Sequence, residues 1–324
     1  MKKHWQDSLK QALKGQNLDA VKNQANYSKL AADMFAPVLT DSLKQQIHWD
    51  DENDPLLLQF LPHTHESNTQ SEFHHDPVGD QPASPIPGLI HKYHGRVLLI
   101  ASGSCAVNCR YCFRRHFAYG QNYAPRNQWQ ASIAYIKQHQ DIHEVILSGG
   151  DPLTLTDKTL AALTDQLALI PHVRTLRIHS RIPTVMPERI DTSFGLWASH
   201  ITLNKVMVLH TNHSNELSPA GIKAIQQLKS MGFTLLNQSV LLRNVNDSAD
   251  ILIALSHDLF SHGVLPYYLH LFDKVQNASH FDLPVQTALK IYQGMQAQLP
   301  GYLLPKLVQE VAGKTSKSLI NLKQ

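Results

Sequence analysis

The chain has 324 residues, enough for one large domain with an extension or for two domains. Its hydrophobic fraction is 43%, ample for a core; charged residues make up 17%, and the formal net charge is 29 − 26 = +3. That balance, without a lysine/arginine block, argues against a nucleic-acid partner. No segment approaches the roughly 20 apolar residues of a membrane helix, and Met1-Lys-Lys-His-Trp-Gln6 lacks the apolar run of a signal peptide, so a cytoplasmic protein without a membrane partner is expected.

Residues 1–45 read as helices: Trp5, Leu9, Ala12 and Leu13 follow helical spacing, and a second, weaker pattern runs from Ala31 to Leu43. From Gln46 to about Pro87 the periodicity fades. Asp50-Asp-Glu-Asn-Asp-Pro55 and Gln81-Pro-Ala-Ser-Pro-Ile-Pro-Gly88 are rich in turn residues and proline, which predicts an arm wrapped over the main domain or a partly mobile stretch. From Arg96 onward short apolar runs alternate with helical stretches. The runs are 96–101, 144–147, 175–179, 205–210, 233–240 and 265–271; the helices lie near 127–140, 157–170, 187–199, 216–231, 247–262 and 284–299. Six strand–helix units predict an α/β fold with a parallel sheet. They are too few for a closed eight-fold barrel, so an open, partial (β/α)6 barrel with a helical N-terminal extension is expected. The predicted division is 1–90 for the helical region and arm, 91–300 for the partial barrel and 301–324 for a C-terminal segment.

In such folds chemistry gathers where strands end. Ser148-Gly-Gly-Asp151, His179-Ser-Arg181, His210-Thr-Asn212 and Asn237-Gln-Ser239 close successive strands, and Asp273 lies just past the sixth. The first strand leads into Cys105-Ala-Val-Asn-Cys109-Arg-Tyr-Cys112, which holds all three cysteines of the chain. Clustered thiols in a reducing compartment argue against disulfides. Thiolates suit iron–sulfur clusters, zinc or copper(I). A four-iron cluster is usually held by four cysteines, so Cys105, Cys109 and Cys112 would leave one iron open to another ligand. The competing reading is a structural zinc with His116 as fourth ligand. The pair Gly149-Gly150 lets a ligand approach the backbone closely; the competing reading is a tight turn followed by a helix start.

A C-x3-C-x2-C loop after the first strand of a partial barrel resembles the radical S-adenosylmethionine superfamily. The segments His91-Lys-Tyr-His-Gly-Arg-Val-Leu-Leu-Ile100, Cys112-Phe-Arg-Arg-His-Phe-Ala118, His179-Ser-Arg-Ile-Pro-Thr-Val-Met-Pro-Glu-Arg189, His210-Thr-Asn-His-Ser-Asn-Glu216 and Asn237-Gln-Ser-Val-Leu-Leu-Arg-Asn-Val-Asn-Asp247 narrow it. Together they resemble the lysine 2,3-aminomutase family from about Ile90 to Lys317.

The resemblance implies a 4Fe-4S cluster on the three cysteines, with the open iron binding S-adenosylmethionine, and pyridoxal phosphate on a Schiff-base lysine. That lysine corresponds to Lys317 in Glu310-Val-Ala-Gly-Lys-Thr-Ser-Lys317, with Lys314 as the alternative. Lys92 and Arg96 correspond to the phosphate-binding positions, where arginine is usual at the first. Gly149, Gly150, His210 and Gln238 match positions near S-adenosylmethionine. Arg114 corresponds to the arginine for the substrate carboxylate. Asp273 and Glu310 correspond to the carboxylates for its distant ammonium, the second being aspartate elsewhere in the family.

The implied reaction is isomerisation of L-lysine to (R)-β-lysine, with reducing power from a donor such as flavodoxin or ferredoxin. The absence of further cysteines resembles a short branch whose product a partner ligase joins to translation elongation factor P. An aminomutase for another amino acid and a zinc-stabilised binding protein are the alternatives.

Overall fold

A computed structural model describes residues 4–16, 18–122 and 128–320. The start of the helix expected from 127, the residues before His4 and those after Ile320 lie outside the described residues.

The protein is a mixed α/β structure built on one nine-stranded sheet whose strands neighbour one another in chain order. All six expected strands form: β2 (Arg96–Ser102), β3 (Glu144–Gly149), β4 (Thr175–Ser180), β5 (Asn204–Leu209), β6 (Thr234–Val240) and β7 (Leu265–His270). Three more were not legible as apolar runs: β1 (Leu89–Tyr93) before them, and β8 (Lys306–Gln309) and β9 (Ser318–Leu319) after them. Strands β2 to β8 pair in parallel throughout, while β1 and β9 add antiparallel to the two ends. The sheet is therefore open, with β1 and β9 at its edges.

Local chemistry explains the alternation. The crossover helices Asp157–Ala168, Pro219–Ser230 and Ala249–Ser261 start at Thr156, Ser218 and Ser248, whose hydroxyls accept from the backbone N–H three residues on. Leu160, Leu163 and Leu167 place one apolar stripe of the first of these helices wholly inside, where each side chain contributes about 1.5–3 kcal/mol. The β1–β2 hairpin turns on His94-Gly95, with Gly95 at φ +76°. A Cβ there would meet the His143 ring at 2.2 Å. This tight turn brings Lys92 and Tyr93 beside Arg96.

The stretch 46–87 is less bare than its composition suggests. Asp54 caps a helix over Pro55–Phe60 by accepting from Leu56 and Leu57 N–H, with Pro55 at the first helical position. Its Leu56, Leu57 and Phe60 join a single core that also holds Trp5, Leu99, Leu147 and Ile178. Farther on, the arm bridges in parallel to the segment after β7, His74 against Val275.

Candidate active site

One cavity of about 510 Å³ is lined from the starts of the parallel strands, at Arg96 and Glu144, to their C-terminal ends and the loops beyond. Cys105, Cys109, Cys112, Arg114, Gly149, Gly150, His210, Gln238, Lys92, Arg96, Asp273, Glu310 and Lys317 all line it. Its floor includes the apolar side chains Val97, Ile146, Val206 and Leu236.

The cysteine loop is braced from below by the N-terminal arm. Arg110 and Arg115, both inside the loop, converge on Glu66: Arg110 donates at 2.8 and 2.7 Å and Arg115 at 2.6 Å. All three side chains are almost wholly buried. Arg110 also donates to the carbonyls of Phe35 at 2.5 Å and Ala31 at 3.0 Å. Each guanidinium thus finds acceptors in a place where an unpaired charge would be costly.

The loop meets β3 through the glycine pair. Gly150 N–H donates to the Ser102 carbonyl at 2.7 Å, and Asp151 N–H to that of Ser104 at 2.8 Å. A Cβ on Gly150 would sit 2.4 Å from the Ser104 oxygen, and Gly149 has φ +111°. Close approach of backbone to backbone therefore already requires glycine here. Asp151 accepts from Ser180 Oγ and from Arg181 N–H, at 2.9 and 2.8 Å, tying the end of β3 to the end of β4.

The three thiols line the same cavity and are free. Burial pushes all three up, Cys112 to about 11, so binding a metal must displace their protons. Among the described residues no group of three His, Cys, Asp or Glu is gathered tightly enough to hold a single metal ion. A multi-iron cluster, in which each thiolate binds its own iron, asks for a wider arrangement. His116 is occupied elsewhere: its Nε2 lies 3.1 Å from the Gln276 carbonyl and its ring stacks on His75.

Arg181 reaches the cysteine side as well. It donates to Cys109 Sγ at 3.3 Å, to Gln59 Oε1 at 2.7 Å and to Glu216 Oε2 at 2.6 Å, and it contacts the Tyr111 hydroxyl. A guanidinium beside a thiolate adds a charge-assisted hydrogen bond.

The opposite wall is a relay of alternating charges. Arg114 Nε donates to Asp80 Oδ2 at 2.7 Å, and Lys92 Nζ meets Asp80 Oδ1 at 2.6 Å. Lys92 also meets Glu310 Oε1 at 2.8 Å, and Glu310 Oε2 lies 2.6 Å from Lys317 Nζ. The two cations hold the Asp80 carboxyl below its usual range despite burial, and Lys317 and Lys92 do the same for Glu310. Asp273 differs: its recessed position, then Glu310, push it up to about 7, against Lys317 and Lys92. Arg96 lies over the Tyr93 ring, 4.8 Å from its centroid.

The tail hairpin explains how Glu310 and Lys317 meet. Gln309 pairs with Ser318 across β8 and β9, so Glu310 and Lys317, the first and last residues of the connecting turn, come side by side. Lys314 sits exposed on the connecting turn, outside the cavity lining.

His210 Nε2 is 3.2 Å from His179 Nδ1, and burial lowers both rings. The Nε2 atoms of His179 and His270 are buried without a partner among the described residues. Both residues line the cavity, although these two ring atoms are themselves closed off from it. Among the lining residues that received no role from the sequence are Asp80, Tyr93 and Arg181. Asp80 stands in the aperiodic arm, Tyr93 lies in a strand that is not legible as an apolar run, and Arg181 belongs to a segment whose pairing with Cys109 is visible only in three dimensions.

The sequence profile of a 4Fe-4S single cluster domain matches residues 94–178. The chain is 48% identical over 266 residues to the L-lysine 2,3-aminomutase of Haemophilus influenzae, covering 82% of this chain and 79% of that protein. It is 44% identical over 306 residues to the L-lysine 2,3-aminomutase of Escherichia coli, covering 94% and 89%. A third relative, the L-lysine 2,3-aminomutase of Buchnera aphidicola, is 45% identical over 273 residues, covering 84% and 80%. At this level of identity and coverage, the chain belongs to the lysine 2,3-aminomutase family of radical S-adenosylmethionine enzymes.

Proposed function

We propose that the protein is an isomerase that converts L-lysine to (R)-β-lysine by a 1,2-amino shift. The observation that carries this reading is the cavity itself, which faces three cysteines with a lysine set among paired charges. Cys105, Cys109 and Cys112 hold the 4Fe-4S cluster. Gly149, Gly150, His210 and Gln238 border the S-adenosylmethionine side. Lys317 carries pyridoxal phosphate, and Lys92 and Arg96 give its phosphate cationic partners. When bound, the cluster supplies an electron to S-adenosylmethionine for radical formation, and pyridoxal phosphate supplies a conjugated system that stabilises an unpaired electron.

The chain's own residues bind, orient and exclude water. Arg114, held through Nε by Asp80 and reaching Ser148 Oγ at 3.4 Å through Nη1, offers its terminal nitrogens to the substrate carboxylate. Asp273 and Glu310 put negative charge on the wall where lysine's distant ammonium goes. Val97, Ile146, Val206 and Leu236 keep the floor dry.

In this reading the open sheet curls as a partial barrel around the cavity. Residues 1–90 form a helical region and wrapping arm, 91–300 the barrel, and 301–324 the lysine-bearing segment. The setting is cytoplasmic, with a flavodoxin or ferredoxin as reductant; among the described residues no helix is long and apolar enough to cross a membrane. The product passes to an elongation factor P β-lysine ligase, a link supported by likeness to the short branch of the family.

The test is anaerobic turnover of labelled lysine by reconstituted enzyme with both cofactors and dithionite, products being resolved by chiral chromatography. (R)-β-Lysine is expected. Turnover confined to an acidic amino acid, or no 5′-deoxyadenosine from loaded enzyme, would overturn the reading.

A further inference from the structure

Among the described residues, Arg181 is the charged side chain that hydrogen-bonds a thiol of the cysteine loop, with Nη1 3.3 Å from Cys109 Sγ. Cys105 and Cys112 receive backbone N–H groups instead, from Asp151 and Arg114. Arg181 is only 7% exposed and is fixed at both ends. Its backbone N–H donates to Asp151 Oδ2 at 2.8 Å, and its Nη2 donates to Gln59 Oε1 at 2.7 Å and Glu216 Oε2 at 2.6 Å. Glu216 is held in turn, its Oε1 accepting from the N–H groups of Asn212 and His213 at 2.8 and 3.1 Å. Neither charge can turn from the other without standing unpaired in the interior.

We propose that Arg181 is a positioning residue that acts through Cys109, donating to the ligating thiolate and so setting how readily the cluster accepts an electron, with Glu216 opposing it. This rests on the reading of Cys105, Cys109 and Cys112 as ligands of a four-iron cluster. Hydrogen bonds to the sulfurs and net charge are two of the levers on the potential of such a cluster. One electron arrives from a reductant of the flavodoxin or ferredoxin class, and no bond forms or breaks at Cys109. The sulfurs become more negative, so a cationic donor stabilises the reduced state more than the oxidised one, and does so strongly where little water intervenes. Glu216 sits on the other terminal nitrogen of the same guanidinium, and its negative charge offsets part of that gain.

The test is an anaerobic redox titration of the reconstituted protein with dithionite and mediators, without lysine or S-adenosylmethionine. Electron paramagnetic resonance reads the reduced cluster, and chemical analysis gives iron and sulfide. Arg181→Gln is expected to make reduction about tenfold less favourable, which is about 59 mV to the negative side for one electron. Glu216→Gln keeps the donor and removes the opposing charge, so its potential is expected to move to the positive side. A purely structural role for the pair would alter iron content without shifts of opposite sign.

The proposal is overturned if Arg181→Gln with full iron content titrates at the wild-type potential, or if Glu216→Gln does not move to the positive side. Should Arg181→Gln hold no cluster, Arg181→Lys decides by the same readout. Lysine has a single nitrogen, which Glu216 claims, so a shift to the negative side is expected and an unchanged potential overturns the proposal. Wild-type protein that takes up no iron and sulfide would remove the underlying reading instead, an outcome seen before any titration.

Discussion

Asp80 and Arg114 meet at 2.7 Å although one lies in the proline-rich arm and the other just past the last cysteine. The arm sets this up locally. Asp76 accepts from the N–H groups of Asp80 and Gln81 at 2.8 and 2.9 Å. Gly79, at φ +68°, packs so close to Ala312 that a Cβ would lie 2.9 Å from that side chain. The arm is thereby a wall of the cavity, clamped between the cysteine loop and the tail hairpin.

Replacing Asp80 by Asn should loosen Arg114 and leave Lys92 short of a negative partner. The expected cost is about 2 kcal/mol, seen as a rise of tenfold or more in KM for lysine. Iron content should stay at the wild-type level, because the cysteine loop keeps its separate anchor on Glu66. Steady-state kinetics beside iron analysis checks this; an unchanged KM would show that Asp80 does not orient the arginine.

Glu66 carries a heavier structural load. In Glu66→Gln the buried Arg110 and Arg115 lose the carboxylate they share. Breaking such a pair costs about 3–5 kcal/mol. Urea denaturation of the anaerobic apo-protein should show the loss, and iron incorporation should fall with it. A denaturation midpoint equal to that of the wild type would contradict the bracing role.

The pH dependence of lysine binding follows from Asp273. Burial raises its folded pKa to about 7, so the unliganded site holds a proton there below neutrality. Lysine's ammonium is charged throughout this range and needs the ionised carboxylate. Affinity for lysine should therefore rise from about pH 6 to about pH 8 and then level off. Asp273→Asn should give a flat profile. Titrating lysine binding by cofactor absorbance at several pH values measures this, and a wild-type profile that falls across the window would reverse the assignment.

The parts of the fold legible in the sequence are those encoded by neighbours along the chain. β2 to β7 appear as apolar runs because parallel strands covered on both faces need them. The cysteine spacing is likewise local. β9 is only Ser318–Leu319 and has no periodicity of its own; it exists because Val308 and Gln309 lie opposite. Family likeness brought Lys317 forward, yet its contact with Glu310 depends on that pairing. Asp80 was hidden for a related reason: its partners lie 12 and 34 residues away, on β1 and in the cysteine loop. The helix at Pro55–Phe60 was within reach, since an aspartate followed by proline is a start signal, but six residues are too few for a periodic pattern to stand out beside the turn-rich segment before them.

The brace at Glu66 also joins a part of the chain made early to one made later. A ribosome makes the Thr64–Ser67 turn well before Arg110 and Arg115, so the acceptor for both guanidiniums is already present when the thiol-bearing segment emerges. The thiol-bearing loop can take that anchor as it emerges, while its contacts with Gly150, Asp151 and Arg181 wait for the strands made after it.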